Sequence, residues 1–141
     1  MPETFDYKER YWYPHMQEPS RAIWERFVRQ FPDLYDRVQY DVPCGSVPNL
    51  DTIIDGEKQT SVERLYRKKI DVVAYKDDQI DIIEIKPYAG ASALGQVKDY
   101  VRLYVEDYAP PIVPKPIIIT DILRSDMEKA AAAEGVLLVV V

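Results

Sequence analysis

Residues 67–86 read RKKIDVVAYKDDQIDIIEIK, and they contain two short apolar runs separated by a polar turn. The first run carries an acid at Asp71. The second run carries Glu84, with Lys86 two positions later. Residues two apart on a strand point to the same face of a sheet, so Glu84 and Lys86 lie side by side if the second run is a strand. The turn folds Asp71 back toward them, and two carboxylates near an ammonium can bind a divalent cation and act on a phosphodiester.

The two runs are predicted to form a β-hairpin, with strands at 70–75 and 79–86. Upstream of the hairpin, apolar residues recur at helical spacing after Ser20. We expect Ser20 to be the N-cap of an amphipathic helix that ends before Pro32. Residues 37–44 alternate weakly and indicate a further strand ahead of the hairpin.

Downstream of the hairpin, helices and strands are predicted to alternate. A helix is expected over residues 92–107, a strand over 115–120 and an Ala-rich helix over 124–134, with Gly135 at its C′ position. The chain ends in the apolar run 136–141, which predicts a strand covered on both faces. The order αβββαβαβ predicts an α/β protein with a mixed central sheet flanked by helices.

The length of 141 residues, 47% of them hydrophobic, predicts one domain over residues 20–141. Residues 1–19 are rich in Tyr and Pro and are expected to form an irregular arm. A polar loop is expected over residues 46–61. The single cysteine, Cys44, cannot form an internal disulfide and is expected to be a buried small side chain. With no signal peptide pattern and no apolar run long enough for a bilayer, the sequence predicts a cytoplasmic protein without a membrane partner.

The charge balance is acidic, with 18 Lys and Arg against 24 Asp and Glu and a net charge of -6. Affinity for nucleic acid comes mainly from cations that neutralise phosphates, so an acidic protein must localise its positive charge or borrow it from a partner. One basic cluster precedes Asp71, formed by Arg64, Arg67, Lys68 and Lys69. It is a candidate nucleic-acid surface, and the alternative is a solvated charged stretch leading into a strand.

The acid on the second predicted strand, followed by Glu84-Ile85-Lys86 on the third and then by an amphipathic helix, resembles the PD-(D/E)XK superfamily of restriction-endonuclease-like nucleases. The resemblance covers the chain from about Arg21 to the C-terminus. The proline that usually precedes the first acid is absent, because Ile70 occupies that place.

The resemblance implies that Asp71, Glu84 and the Ile85 carbonyl hold Mg²⁺ (or Mn²⁺), which prefers oxygen ligands. A bound metal lowers the pKa of a water and polarises the phosphoryl group. Lys86 would orient or deprotonate the attacking water and stabilise the developing negative charge.

The helix after the hairpin adds two candidates, Gln96 and Tyr100, which are four residues apart and therefore lie on one helical face. They resemble the Q-x-x-x-Y feature of RecB-like and lambda-type exonucleases, where Gln96 would support the water or a phosphate. The alternative is a surface amide and a core aromatic residue. Many superfamily members add an acid from the first helix, for which Glu25 is the candidate and Glu18 the alternative.

The resemblance implies a metal-dependent nuclease that acts on DNA, with a Holliday-junction resolvase as one version of that enzyme. Small domains of this kind usually act as dimers, so a homodimer or a basic partner subunit is expected. The other hypothesis is a nuclease-fold protein without catalysis that serves as an assembly component, which the acidity and the eleven tyrosines favour.

Overall fold

The computed structural model describes residues 2–45 and 67–141, which contain six strands and three helices. The predicted polar loop at 46–61 and the predicted contact residue Arg64 lie outside these ranges. The strands are β1 (Thr4–Asp6), β2 (Arg37–Cys44), β3 (Lys68–Lys76), β4 (Gln79–Ile85), β5 (Lys115–Thr120) and β6 (Leu137–Val140). The helices are α1 (Ser20–Gln30), α2 (Ala91–Tyr108) and α3 (Met127–Ala133).

The strands form one mixed sheet in the order β1-β2-β3-β4-β5-β6. The pairs β1–β2, β2–β3 and β3–β4 are antiparallel, whereas β4–β5 and β5–β6 are parallel. The predicted hairpin is confirmed, since the last β3–β4 pair, Lys76 with Gln79, leaves a two-residue turn. The α2 and α3 crossovers connect the parallel strands, and the predicted mixed α/β architecture is therefore confirmed.

Helices cover both faces of this sheet. On α1, the side chains Ile23, Trp24 and Phe27 form a buried stripe, and they pack on the face that also receives the N-terminal arm. Helices α2 and α3 pack on the opposite face through residues such as Val97 and Met127. No helix within the two described ranges is long and apolar enough to cross a membrane.

The strand β2 changes face at its middle. Val38 and Tyr40 pack on the α1 face, whereas Val42 and Cys44 pack on the α2 face, although all four are an even number of residues apart. Asp41 lies between the two pairs with a φ of 55°, and this left-handed backbone turns the strand over. The strand β3 shows the same change between Ile70 and Val72, which flank Asp71.

Two sequence expectations were wrong, one about the cap of α1 and one about the burial of β6. Ser20 is the first residue of α1, and the capping position is Pro19, which makes no side-chain capping bond. The C-terminal strand is not covered on both faces, because Leu137 is 58% exposed and Val140 is 43% exposed. Since β6 is the edge strand of the sheet, the layers on either side cover it only in part.

The N-terminal arm contains a short strand that the sequence pattern does not indicate. Residues Thr4–Asp6 pair with β2 and extend the sheet, while Tyr7 and Tyr13 of the same arm are buried in the core. Three residues give no detectable period, so only the pairing with β2 identifies this strand. The arm therefore forms part of the α1 layer and reaches the sheet next to Asp41.

Candidate active site

The site lies where β3 and β4 diverge. Their ladder ends at the pair Val72 with Ile83, but β2–β3 pairing continues to Lys68 and β4–β5 pairing continues to Ile85. The two strands thus turn to different neighbours beyond this point. Asp71 and Glu84 are the first residues past the end of the ladder, where the same register would place them opposite each other.

Asp71 closes the gap between the strands with a hydrogen bond. The Ile85 backbone N–H donates to Asp71 Oδ2 at 2.8 Å. A backbone donor that would otherwise lack a ladder partner is satisfied in this way. Asp71 and Ile85 line an open cleft of about 330 Å³, which residues 14–18 of the N-terminal arm border on the other side.

Glu84 is only 6% exposed, and its Oε2 atom has no hydrogen-bond partner among the described residues. A buried polar atom without a partner costs free energy, and buried carboxylates are normally paired or bound to a metal. The Glu84 side chain lies on the α2 face of β4. Asp81 lies on the other face, as expected, where its carboxylate accepts a hydrogen bond from Tyr35 Oη at 2.5 Å.

Burial raises the pKa of both carboxyl groups. The pKa of Asp71 rises to about 6, and the hydrogen bond from Ile85 and the charge of Lys86 oppose that rise. The pKa of Glu84 rises to about 8, because burial is reinforced by the negative charge of Asp71. Near neutral pH the metal-free pair therefore retains a proton, which a divalent cation would displace.

Lys86 follows directly after β4 and is exposed. Its backbone N–H donates to the Ile119 carbonyl at 3.0 Å, which holds the residue at the end of the sheet. The positive charge of Lys86 lowers the pKa of both Asp71 and Glu84, and no carboxylate in the described ranges lies within ion-pair distance of its ammonium. The ammonium of Lys86 thus acts on both acids through its charge without forming an ion pair with either.

The loop after Lys86 is held by contacts to the β5–α3 segment. The Tyr88 N–H donates to Asp121 Oδ1 at 2.8 Å, and the Ala89 N–H donates to Thr120 Oγ1 at 3.0 Å. The Arg124 guanidinium lies 3.9 Å from the centre of the Tyr88 ring. These contacts restrict the backbone between Lys86 and helix α2.

Gln96 and Tyr100 approach the acid pair from α2. The Gln96 side-chain N–H donates to Tyr100 Oη at 2.6 Å, and Tyr100 is buried. Burial raises the pKa of Tyr100, and the charge of Glu84 raises it further, which places the hydroxyl in the field of the acid. The predicted Gln–Tyr pair thus borders Glu84.

The two candidate acids near α1 lie in different places. Glu25 forms an ion pair with Arg21 at 2.9 Å and lines a separate depression with Tyr11. Glu18 also pairs with Arg21, and it lines the cleft that contains Asp71. The structure therefore brings Glu18 to the site and leaves Glu25 on another surface, because Glu25 projects from the flank of α1 while Glu18 precedes the helix.

Asp41 and His15 also line this cleft, and sequence reasoning did not select them. The β2–β3 register places Asp41 across from Asp71, since the flanking pairs are Tyr40 with Val72 and Val42 with Ile70. His15 Nδ1 lies 4.0 Å from Asp41 Oδ2. An acid between two apolar residues of a strand was the available signal for Asp41, whereas nothing local indicated His15.

The described members of the basic cluster are paired with acids. Arg67 lies 2.9 Å from Asp107 Oδ2, and Lys68 lies 2.5 Å from Asp99 Oδ2. Lys69 lies 3.8 Å from Asp41 Oδ2. These pairs reduce the positive field that the sequence alone suggested.

The donor set at the cleft fits Mg²⁺ or Mn²⁺. Asp71 and Ile85 line the cleft, and the neighbouring Glu84, which does not line it, adds a buried carboxylate whose Oε2 has no hydrogen-bond partner among the described residues. Hard divalent cations bind such oxygen ligands and keep several waters. No cluster of three or more His, Cys, Asp or Glu side chains within metal-binding reach occurs in residues 2–45 and 67–141.

Known proteins share this fold. A repair endonuclease from Pyrococcus abyssi is similar with a TM-score of 0.57 and 18% identity, and the match covers 90% of this chain and 49% of that chain. A complex of EndoMS with double-stranded DNA gives a TM-score of 0.50 and 17% identity, and the match covers 94% of this chain and 48% of that chain. A protein of unknown function is similar with a TM-score of 0.50 and 17% identity, and the match covers 80% of this chain and 53% of that chain. This chain spans about half the length of each.

No protein-family model and no curated protein matches the sequence. The structural matches establish the fold, and the predicted resemblance to restriction-endonuclease-like nucleases is confirmed at that level. The chain is an α/β protein with the restriction-endonuclease-like nuclease fold.

Proposed function

We propose that this chain is a metal-dependent nuclease that hydrolyses DNA phosphodiester bonds at the cleft between β3 and β4. The observation that carries the proposal is the buried Glu84 carboxylate near Asp71 and Lys86. Among the described residues, Glu84 Oε2 has no hydrogen-bond partner and the Lys86 ammonium has no ion pair. A protein that used the fold only as a scaffold would gain stability by replacing these groups with apolar ones. The repair endonuclease and the DNA-bound EndoMS with the same fold support a DNA substrate.

Each side chain has a role in this proposal. Asp71, Glu84 and the Ile85 carbonyl would hold Mg²⁺ or Mn²⁺. When bound, the metal supplies a Lewis acid that polarises the phosphoryl group and lowers the pKa of a bound water. Lys86 is free to orient the attacking water and to donate hydrogen bonds to the negative charge that develops on the phosphate. Its side chain is exposed and is therefore accessible to a phosphate group.

The neighbouring residues position this set. Tyr100, which accepts a hydrogen bond from Gln96 on helix α2, lies close enough to Glu84 for the charge of that acid to raise its pKa. Glu18 replaces Glu25 as the candidate additional acid, because it faces the cleft with Asp71.

Cleavage of linear, circular and branched DNA with Mg²⁺ or Mn²⁺ tests the proposal. Substituting Lys86→Ala should lower the rate by about two to three decades, the usual loss when one stabilising donor is removed. Lys98→Ala is the matched control, since Lys98 is an exposed lysine on α2 that pairs with Glu134. Cleavage of circular DNA would identify an endonuclease, and a preference for four-way junctions would identify the resolvase version.

A scaffold or assembly role is the second candidate. The net charge of -6 and the pairing of Arg67, Lys68 and Lys69 with acids favour it, because DNA binding needs free cations. Wild type and Lys86→Ala behaving alike on every DNA substrate would support this role. The proposed homodimer, or a basic partner subunit, would reconcile the acidity with DNA binding, and sedimentation with and without DNA tests it.

A further inference from the structure

A second depression adjoins the cleft on the side of the N-terminal arm. It has a volume of about 470 Å³, within the range of small-molecule sites. Pro14, His15 and Asp41 line both the depression and the cleft, so the two spaces are direct neighbours. The remaining wall is mostly aromatic, with the side chains of Phe5, Trp12 and Tyr40.

Trp12 is the unusual member of this wall. It is 66% exposed, whereas Trp24, the other tryptophan of the chain, is fully buried. Phe5 and Tyr40 pack against each other with ring centres 5.7 Å apart. The indole of Trp12 therefore presents an accessible aromatic surface beside the proposed catalytic cleft.

Acids border this aromatic wall. Glu3 and Asp41 both line the depression, and their carboxylates can accept hydrogen bonds from the amino and ring N–H groups of a nucleobase. The same charges repel phosphate. A nucleotide would therefore place its base in the depression and its phosphate in the adjoining cleft, where a divalent cation held by Asp71 would offset the acids Glu18, Asp41 and Asp71 of the cleft itself.

We infer that the depression binds an unstacked nucleobase of the strand whose phosphate lies in the cleft, an inference that rests on the proposed function. Aromatic side chains stack on single-stranded bases with little sequence preference. A base inside an intact duplex cannot reach Trp12 in this way. The substrate class is thus DNA with an unpaired nucleotide next to the cleaved bond, as in single strands, flaps or mismatches.

Binding of a short single-stranded oligodeoxynucleotide and of its blunt duplex tests the inference. Both are titrated, with Mn²⁺ present, into protein that carries Lys86→Ala so that the DNA stays intact. The single strand should quench the fluorescence of Trp12, and adding Trp12→Ala should weaken its binding by about fivefold to a hundredfold. Duplex binding should stay unchanged within about twofold.

Tyr11→Ala is the matched control, because Tyr11 is 99% exposed on the same arm and does not line the depression. It should leave single-strand binding unchanged, and Trp12→Phe should retain most of it by keeping a stacking surface. Thermal unfolding of each variant verifies that it is folded, as expected for exposed positions.

Equal binding of the single strand by Trp12→Ala and its parent would overturn the inference, and so would an equal loss with Tyr11→Ala. Loss of self-association in Trp12→Ala without any effect on DNA would assign the surface to a second copy of the chain instead. The cleavage assay separates the two proposals. Wild type that cleaves DNA without any dependence on Trp12 refutes only the base site, whereas Trp12-dependent binding without cleavage refutes only the catalysis.

Discussion

At the scale of the residue, Glu84 and Asp71 are acids in surroundings that disfavour their ionised forms. Both are acids beyond the end of a buried ladder, and burial disfavours their charged forms. Ile85 N–H and the charge of Lys86 offset only part of this cost. The pair is therefore more stable with a proton or a cation than with two bare charges.

The pH dependence of stability follows from this pair. Because the folded-state pKa values are raised above their unfolded values near 4, stability is fully present at low pH and is lost as pH rises through about 6 and about 8. The free energy of unfolding of the metal-free protein should thus fall between about pH 4 and pH 9. Glu84→Gln should reduce the slope and add on the order of 2 kcal/mol at the alkaline end.

Urea unfolding with a chelator at several pH values measures this effect. Glu106→Gln is the control, because Glu106 is an exposed glutamate paired with Arg102, and it should keep the wild-type slope. Identical slopes for wild type and Glu84→Gln would show that the buried acid does not govern the pH dependence.

Metal binding should reverse the alkaline loss of stability. At a metal concentration about 100 times the dissociation constant, Mg²⁺ or Mn²⁺ should stabilise the protein by about 2.7 kcal/mol, a rise in Tm of several degrees. Asp71→Asn should abolish the rise. Asp81→Asn, which alters a buried acid on the other sheet face, should lower the Tm but preserve the response to metal, and thermal scans with and without metal compare the three proteins.

At the scale of the element, the change of face in β2 positions the cleft. The left-handed backbone of Asp41 turns the strand over, and β3 changes face at Asp71. Both acids therefore lie where the side chains of a strand switch from one helical layer to the other. A strand with regular alternation would bury one of these acids in a core. The irregularity therefore keeps Asp71 accessible from the arm.

The conformation of Asp41 can be tested by comparing two substitutions. Asp41→Gly and Asp41→Ala both remove the carboxylate, but only glycine adopts a φ of 55° without steric cost. Asp41→Ala should therefore be less stable than Asp41→Gly by about 1 kcal/mol in urea unfolding. Equal stabilities, or a more stable alanine variant, would contradict a left-handed residue at this position.

At the scale of the whole molecule, charge pairing opposes DNA binding. The chain carries a net charge of -6. The carboxylate of Asp99 forms ion pairs with both Lys68, at 2.5 Å, and Arg102, at 2.6 Å. Exposed pairs of this kind contribute little to stability. Their main effect is to neutralise cations that a phosphate backbone would need.

Asp99→Asn should therefore strengthen DNA binding. Releasing Lys68 and Arg102 should raise the affinity about threefold to tenfold at low salt and steepen the dependence of affinity on salt concentration. Glu134→Gln makes the same change of net charge beside Lys98 and serves as control. If both variants bind DNA equally tightly in fluorescence anisotropy titrations, net charge rather than the Asp99 pairs accounts for the effect.

Periodicity predicted most of the elements, because each strand and helix buries a face of its own. The strand Lys115–Thr120 matches the expected bounds, and α2 extends one residue beyond them at each end. Two strands departed from the expectations because a neighbouring strand decides the outcome. The exposure of β6 depends on its place at the sheet edge, and β1 exists only through its pairing with β2.

The hairpin, the mixed α/β architecture and the local grouping of Glu84 with Lys86 can be read from the sequence, because alternation and short turns act between residues close in the chain. The three-dimensional packing was needed to show that Glu18, His15 and Asp41 reach the cleft of Asp71 while Glu25 does not. Those positions depend on the divergence of two strands and on the path of the N-terminal arm. Such long-range packing leaves no periodic signal in the chain.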